Sequence, residues 1–236
     1  EMCIRDRLYS VKEVKNRKPV YYGMNRNADV YAESVEANGI YGTKAVIFLK
    51  KEDKKIEVKI PLPGKHMVYN AMAAALVGSV LGLSSIEIEC GVKNLKTIAG
   101  RNNIIKENSF TIIDDCYNAN PVSMKASIDV LAHTSGRRIA VLGDMGELGA
   151  EEKELHRNIG KAVAASGIDA LFCAGTLAEE YASEAKANPE CEVHYKKTRE
   201  EMTEELLAYV KEGDTVLVKA SHFMEFPKVV EALTKE

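Results

Sequence analysis

Thr111-Ile-Ile-Asp-Asp-Cys-Tyr-Asn-Ala-Asn-Pro-Val-Ser-Met124 is the stretch on which the reading of this chain turns. Thr111-Ile-Ile113 is a short apolar run that reads as a strand. Asn120-Pro121 reads as a helix start, an N-cap followed by proline in the first turn. Met124, Ile128 and Leu131 then recur on one helical face. A strand that gives way to a helix within a few residues suits an alternating strand and helix fold.

Working outward, the same rhythm continues to the end of the chain. Ile139-Ala-Val-Leu142, Ala170-Leu-Phe172, Glu192-Val-His194 and Thr215-Val-Leu-Val218 read as strands. Leu155, Ile159 and Val163 mark one intervening helix, and Met202, Leu206 and Val210 a later one. Alternation of this kind predicts an α/β architecture with a mostly parallel sheet covered on both faces. Residues 99–236 are therefore expected to form one doubly wound, Rossmann-like domain.

Upstream the pattern is different. Val20-Tyr-Tyr22, Val30-Tyr31, Ala45-Val-Ile-Phe-Leu49 and Ile56-Glu-Val-Lys-Ile60 read as short strands. The last alternates apolar and polar residues, as a half-buried antiparallel strand does. Pro61-Leu-Pro-Gly64 then breaks the sheet and a helix begins near His66. Ser84-Ser-Ile-Glu87 is a capping box that opens another, with Ile88, Val92 and Leu95 on one face. Residues 1–98 are expected to be the partial end of a second α/β domain, too strand-poor to be complete. The opening Glu1-Met-Cys-Ile-Arg-Asp-Arg-Leu8 matches neither a signal peptide nor an obvious element, which leaves open whether residues 1–10 are native.

Composition narrows the function classes. Of 236 residues, 46% are hydrophobic and 28% charged, proportions of an ordinary globular protein. A net charge of -3 and a pI near 6.1 give no reason to expect a nucleic-acid partner. The most apolar stretch, Met67 to Leu83, is short for a bilayer and is interrupted by Asn70 and Ser79, so a buried helix is expected and no membrane insertion. Cys3, Cys90, Cys116, Cys173 and Cys191 include no C-x-x-C pair, which indicates reduced, packed thiols in a cytosolic protein and no zinc site.

In an open parallel sheet, ligands bind beyond the C-terminal ends of the strands. Three predicted strands end in polar side chains: Asp114-Asp-Cys-Tyr-Asn-Ala-Asn120, Gly143-Asp-Met-Gly-Glu-Leu-Gly149 and Lys219-Ala-Ser-His222. Together they suggest a cleft for a charged ligand. Each piece also has a plainer reading. Asp114 and Asp115 could cap a turn, Asn120 could be only an N-cap, and the Gly143–Gly149 segment could be a flexible loop. Lys219 and His222 could be solvated. His66 and Asn70, four apart, share a helix face, as a capping histidine with a surface asparagine or as a pair whose amide reads a nucleobase edge. Arg101, after Gly100, is either a surface charge or a fork of donors for phosphate.

Taken together, the segments resemble the Mur ligase family of ATP-dependent peptide ligases that build bacterial peptidoglycan. The resemblance rests on Pro63-Gly-Lys-His-Met-Val-Tyr-Asn-Ala-Met-Ala-Ala-Ala75, Ala99-Gly-Arg101, Ile113 to Met124, Val141 to Gly149 with His156, and Val218-Lys-Ala-Ser-His222. It spans about residues 15–236. It implies that residues 1–98 end a central ATP-binding domain and that residues 99–236 are the family's C-terminal domain. The implied reaction joins the carboxylate of UDP-MurNAc-tripeptide to the amine of D-Ala-D-Ala. ATP phosphorylates the carboxylate, the dipeptide amine attacks the acyl phosphate, and phosphate leaves.

By matching positions, the resemblance places Asn70 on the adenine, with His66 beside the nucleotide. Arg101 falls on the ATP phosphates and Asp115 on the ribose hydroxyls. Tyr117, Asn118, Asn120, Lys219 and Ser221 would orient the incoming dipeptide, with Arg101 and Lys219 as the catalytic cations. Asp144 and Glu147 belong to the signature without an assigned role. No G-x-x-x-x-G-K-[ST] loop occurs in the 236 residues. The ligands for Mg2+ and the UDP-sugar domain are likewise expected upstream, so the chain is expected to be a fragment inactive alone, cytoplasmic and monomeric. A folylpolyglutamate or cyanophycin-type ligase and a non-catalytic nucleotide-binding module are the alternatives.

Overall fold

The computed structural model describes residues 11, 13, 15, 16, 18–107 and 109–235. The reading of residues 1–10 lies outside them. The chain divides into two compact units. One takes in the described residues up to Asn38 with Gly42–Pro61 and Lys65–Leu95; the other takes in Gly39–Tyr41, Leu62–Gly64 and the described residues from Lys96.

The first unit is a four-stranded sheet of β1 (Tyr22–Gly23), β2 (Val30–Ala37), β3 (Thr43–Leu49) and β4 (Lys54–Ile60), in that order. β1 pairs parallel with β2, and the other pairs are antiparallel. In β4 the alternation predicted from the sequence is present: Ile56, Val58 and Ile60 are buried while Lys55, Glu57 and Lys59 are exposed. Helix α1 (Met67–Val80) packs on β2, β3 and β4 through Val68, Ala71, Met72 and Ala75, all buried. Its far side departs from the expectation of a buried helix, since Val77 is 58% and Val80 74% exposed. One face of a helix is enough to cover a sheet this narrow. Helix α2 (Ser85–Lys93) opens with the predicted capping box: the Ser84 hydroxyl accepts from Glu87 N, and the Glu87 carboxylate accepts from Ser84 N. Ile88 and Val92 point inward, but Leu95 lies beyond the helix end and Cys90 falls on the exposed side, against the expectation that both pack.

The second unit holds the expected α/β sheet, with one strand more than the sequence reading found. Its elements in chain order are β5 (Asn103–Lys106), β6 (Thr111–Asp114), α3 (Pro121–Ala132), β7 (Arg138–Gly143), α4 (Glu152–Ala165), β8 (Ala170–Ala174), α5 (Ala178–Ala185), β9 (Glu192–Lys196), α6 (Arg199–Tyr209), β10 (Thr215–Lys219) and α7 (Pro227–Leu233). The sheet order is β5-β6-β10-β7-β8-β9, parallel throughout except for β5, which pairs antiparallel with β6 at one edge. Neighbouring strand residues go to opposite faces. Ile113, Leu142, Leu171 and Leu217 pack under α3, α4 and α5 beside Met124, Ile159 and Tyr181. Ile112, Val141, Phe172 and Val216 pack under α6 and α7 beside Met202, Leu206 and Val229. The register sets Asp114 opposite Val218 and Lys219 opposite Leu142, so β6, β10 and β7 end side by side.

Candidate functional site

The three adjacent strand ends carry the polar segments, and their side chains form two tiers. The lower tier is buried and bonded to itself. Asp114 accepts from Gly100 N (2.8 Å) on one oxygen and from the Cys116 thiol (2.8 Å) on the other. Asp115 accepts from Asn102 N (3.0 Å) on Oδ1, and on Oδ2 from both the Ser127 hydroxyl (2.6 Å) and Lys219 Nζ (2.6 Å). The Lys219 ammonium donates further to the carbonyls of Asp115 (3.3 Å) and Asn118 (3.1 Å). At 2% exposure it has no solvated face. A charge buried this deeply is tolerated because all three of its protons meet oxygen.

Ser221 belongs to the same tier. Its backbone N–H donates to the carbonyl of Asp144 (3.1 Å). Its hydroxyl accepts from Gly146 N (2.9 Å) and donates to the carbonyl of Ala119 (3.4 Å). Asp144, 7% exposed, accepts from the backbone N–H groups of Thr176 (2.9 Å) and Leu177 (3.1 Å) in the loop after β8. Gly175 before them has φ 133° and leaves room only for hydrogen: a Cβ there would stand 2.3 Å from the Asp144 carboxylate.

The upper tier faces outward. Arg101, Tyr117, Asn118, Asn120 and His222 are exposed. The Arg101 guanidinium lies over the Tyr117 ring, 4.0 Å from its centroid, and His222 lies 6.2 Å from the same ring. The stack is anchored from below, because Tyr117 N donates to the carbonyl of Gly100 (2.9 Å), and Gly100, at φ 76°, lets the chain turn tightly there. Asn120 caps α3 in a reciprocal box with Ser123 (2.9 and 3.1 Å). A cation held on an aromatic ring, with two amides beside it, can receive an anionic or carbonyl-bearing ligand.

Burial shifts the titrating groups of the lower tier. The Cys116 thiol is pushed up by burial and by the Asp114 carboxylate beside it. Burial holds the His156 imidazole below its ordinary value and lifts the Tyr181 phenol well above its own. The Cys116 thiol and the Tyr181 phenol are thus neutral packing groups.

Of the residues singled out from the sequence, Arg101, Asp115, Tyr117, Asn118, Asn120, Lys219 and Ser221 come together at this edge of the second unit. His66 and Asn70 belong to the first unit. His66 is the N-cap residue of α1 without a side-chain cap bond, and the exposed Asn70 amide reaches Met67 Sδ at 3.6 Å. Asn102, Ser127, Gly175 and Tyr181 were not foreseen. Ser127 alone carried a local signal, one helical turn beyond Ser123. Among the described residues, no cluster of three His, Cys, Asp or Glu could hold a metal, and no helix is long and apolar enough to cross a membrane. A cavity of about 250 Å³ lies over the β3–β4 hairpin, lined by Tyr31, Phe48 and Lys50 among others, and contains none of the candidate residues.

Comparison with known proteins gives a consistent outcome. A family model described as "Mur ligase, glutamate ligase domain" matches residues 100–222, and one described as "Mur ligase middle domain" matches residues 3–78. The chain is 35% identical over 210 residues to the UDP-N-acetylmuramoyl-tripeptide–D-alanyl-D-alanine ligase of Escherichia coli, covering 88% of this chain and 45% of that protein. It is 38% identical over 184 residues to the Bacillus subtilis enzyme of the same name, covering 74% and 39%. Among solved structures, MurF from Acinetobacter baumannii superposes with a TM-score of 0.81 at 26% identity, over 94% of this chain and 48% of that one. MurF ligase from Thermotoga maritima in complex with ADP gives 0.75 at 25% identity, over 98% and 51%. The chain spans about half the length of the curated relatives it matches.

Proposed function

Because this chain belongs to the Mur ligase family, we propose that it serves an ATP-dependent ligase joining the carboxylate of UDP-MurNAc-tripeptide to the amine of D-Ala-D-Ala in the bacterial cytoplasm. In this reading residues 1–98 end the central ATP-binding domain and residues 99–236 are the C-terminal domain, acting in a monomer. One observation carries it: the Asp114–Asn120 segment sits at the C-terminal edge of the parallel sheet, with Arg101 stacked on its tyrosine. The relatives' printed names supply the substrates, and the ADP complex of one of them supports a nucleotide here.

The roles follow the two tiers. Arg101, exposed and steadied by the Tyr117 ring, meets the phosphates and spreads their charge as the phosphoryl group transfers. Tyr117, Asn118 and Asn120 orient the dipeptide by their exposed polar groups. Asp115 takes the ribose hydroxyls on the oxygen that receives only Asn102 N. Lys219 and Ser221 act from beneath: Lys219 holds Asp115 and the Asn118 carbonyl in place, and Ser221 ties the three loops. For His66 and Asn70, which belong to the first unit, the reading from the family's matching positions is the adenine. Mg2+ would neutralise phosphate charge as the phosphoryl group transfers.

The test is phosphate release from ATP with UDP-MurNAc-tripeptide, with D-Ala-D-Ala added or withheld. It is run on this chain and on a chimera in which the chain replaces the matching half of the Escherichia coli relative. Dipeptide-dependent release from the chimera alone is expected. A folded chimera that releases phosphate without regard to the dipeptide would remove the substrate assignment.

A further inference from the structure

The two acids of the loop after β7 stand in opposite situations. Asp144 is buried and bonded to the backbone of the next loop, while Glu147 is exposed at φ 60°. Between them the chain turns two N–H groups inward. Gly146 N meets the Ser221 hydroxyl, and Met145 N meets His156 Nε2 at 3.0 Å.

His156 lies on α4 with no exposed surface. Its Nδ1 is 2.6 Å from the carbonyl of Glu152. A carbonyl only accepts, so Nδ1 carries the proton. A backbone N–H only donates, so Nε2 must present its lone pair to Met145. One state of the ring satisfies both partners: the neutral imidazole protonated on Nδ1. A proton added to Nε2 would set two donors face to face, and one of them would have to move. The Tyr181 ring stacks on the imidazole with centroids 4.8 Å apart, and its hydroxyl donates to the carbonyl of Gly143 (3.1 Å), so helix α5 fixes the ring and the loop root together.

We propose that His156 is a positioning residue whose neutral ring holds the Gly143–Gly149 loop and, through Gly146, Ser221 and the Ala119 carbonyl, the loops after β6 and β10, so that acid loosens all three together. The lock stands on the fold alone and does not rest on the function proposed above. The charged and titratable groups facing the ring are Asp144 from the loop, Glu152 from its own helix, and Glu180 and Tyr181 from α5. Burial opposes a charged ring and outweighs the carboxylates that favour one. An ordinary core histidine would make the same two bonds without governing the loops beyond Met145.

Nuclear magnetic resonance on this chain separates the two. At about pH 7, the His156 ring nitrogens should read Nδ1 protonated and Nε2 bare. The variant His156→Ala should lower the exchange protection of the Met145, Gly146 and Ser221 amides about tenfold or more, with the Leu171 amide as a folding control. His156→Gln sets a carbonyl oxygen near the Nε2 position and cannot titrate. It should restore that protection and abolish its loss in acid. A proton on Nε2 overturns the proposal, as does unchanged protection of Gly146 and Ser221 in a folded His156→Ala chain. If that variant does not fold, the wild-type tautomer and the acid response of the three amides decide. None of these readings involves a substrate, so they can fail while the ligase assignment stands.

Discussion

The two units of this chain bury different things. The four-stranded sheet of the first has Thr43 as its one buried polar side chain among the described residues, whereas the second buries Asp114, Asp115, Asp144, His156, Lys219 and Ser221 at one edge of its sheet. Alternating apolar residues specify a sheet cheaply, since any side chain of about the right size and polarity serves. A buried polar group costs free energy unless it is bonded, and so it specifies one geometry and penalises the rest. The first unit therefore reads as a scaffold tolerant of exchange, and the second as a scaffold whose strand ends are held to a fixed shape. Those ends are where an open parallel sheet binds its ligands.

The contrast can be broken most easily at Lys219. Lys219→Met leaves Asp115 buried without its counter-charge, and a loss of about 3–5 kcal/mol is expected in urea unfolding followed by hydrogen exchange peptide by peptide. A loss under about 1 kcal/mol would mean that solvent reaches this edge and that the tiers are not distinct. Asp144→Ala orphans the N–H groups of Thr176 and Leu177 and should cost about 2–3 kcal/mol, read in the same way. Acidification through the imidazole range should act more gently, at His156 in the second unit. The folded His156 binds a proton less readily than the unfolded chain does, so stability is full above the ordinary imidazole range and falls as pH drops through it toward the lower folded value. Thermal unfolding across that range checks the sign, and a rise in stability toward acid would contradict it. In the first unit, Ser84→Ala removes the cap of α2 and should cost about 1 kcal/mol, seen in exchange of the α2 amides. Glu57→Gln, on the exposed face of β4, should stay within about 0.5 kcal/mol. A larger effect there would show the outer face of that sheet to be engaged after all.

Much of the fold was legible because its signals are local. The alternation of Ile56, Val58 and Ile60, the Ser84 and Asn120 caps, and the apolar runs of β7, β8 and β10 each lie within a few residues. Strand β5 was missed because Asn103–Lys106 is short and only half-buried, and becomes a strand by pairing with β6. At the site, the sequence could mark which polar residues end the strands but not which tier they occupy. Tyr117 and Lys219 are equally polar on paper, yet one is 52% exposed and the other 2%. What separates them is a partner far along the chain: Lys219 and Asp115 are 104 residues apart, Asp144 and Thr176 are 32 apart. Helical periodicity and capping rules do not reach that distance.

The position of β10 in the sheet has a consequence for how the protein is made. The last strand among the described residues lies between β6 and β7, at the middle of the sheet. A ribosome delivers residues in order, so β6 and β7 must wait side by side with a strand-wide gap between them until Thr215–Lys219 emerges. During that interval the nascent sheet presents two unpaired inner edges, the kind that chaperones shield and neighbouring chains capture. Delaying the emergence of residues 215–219 should then lower the yield of native protein, because the delay prolongs the open gap.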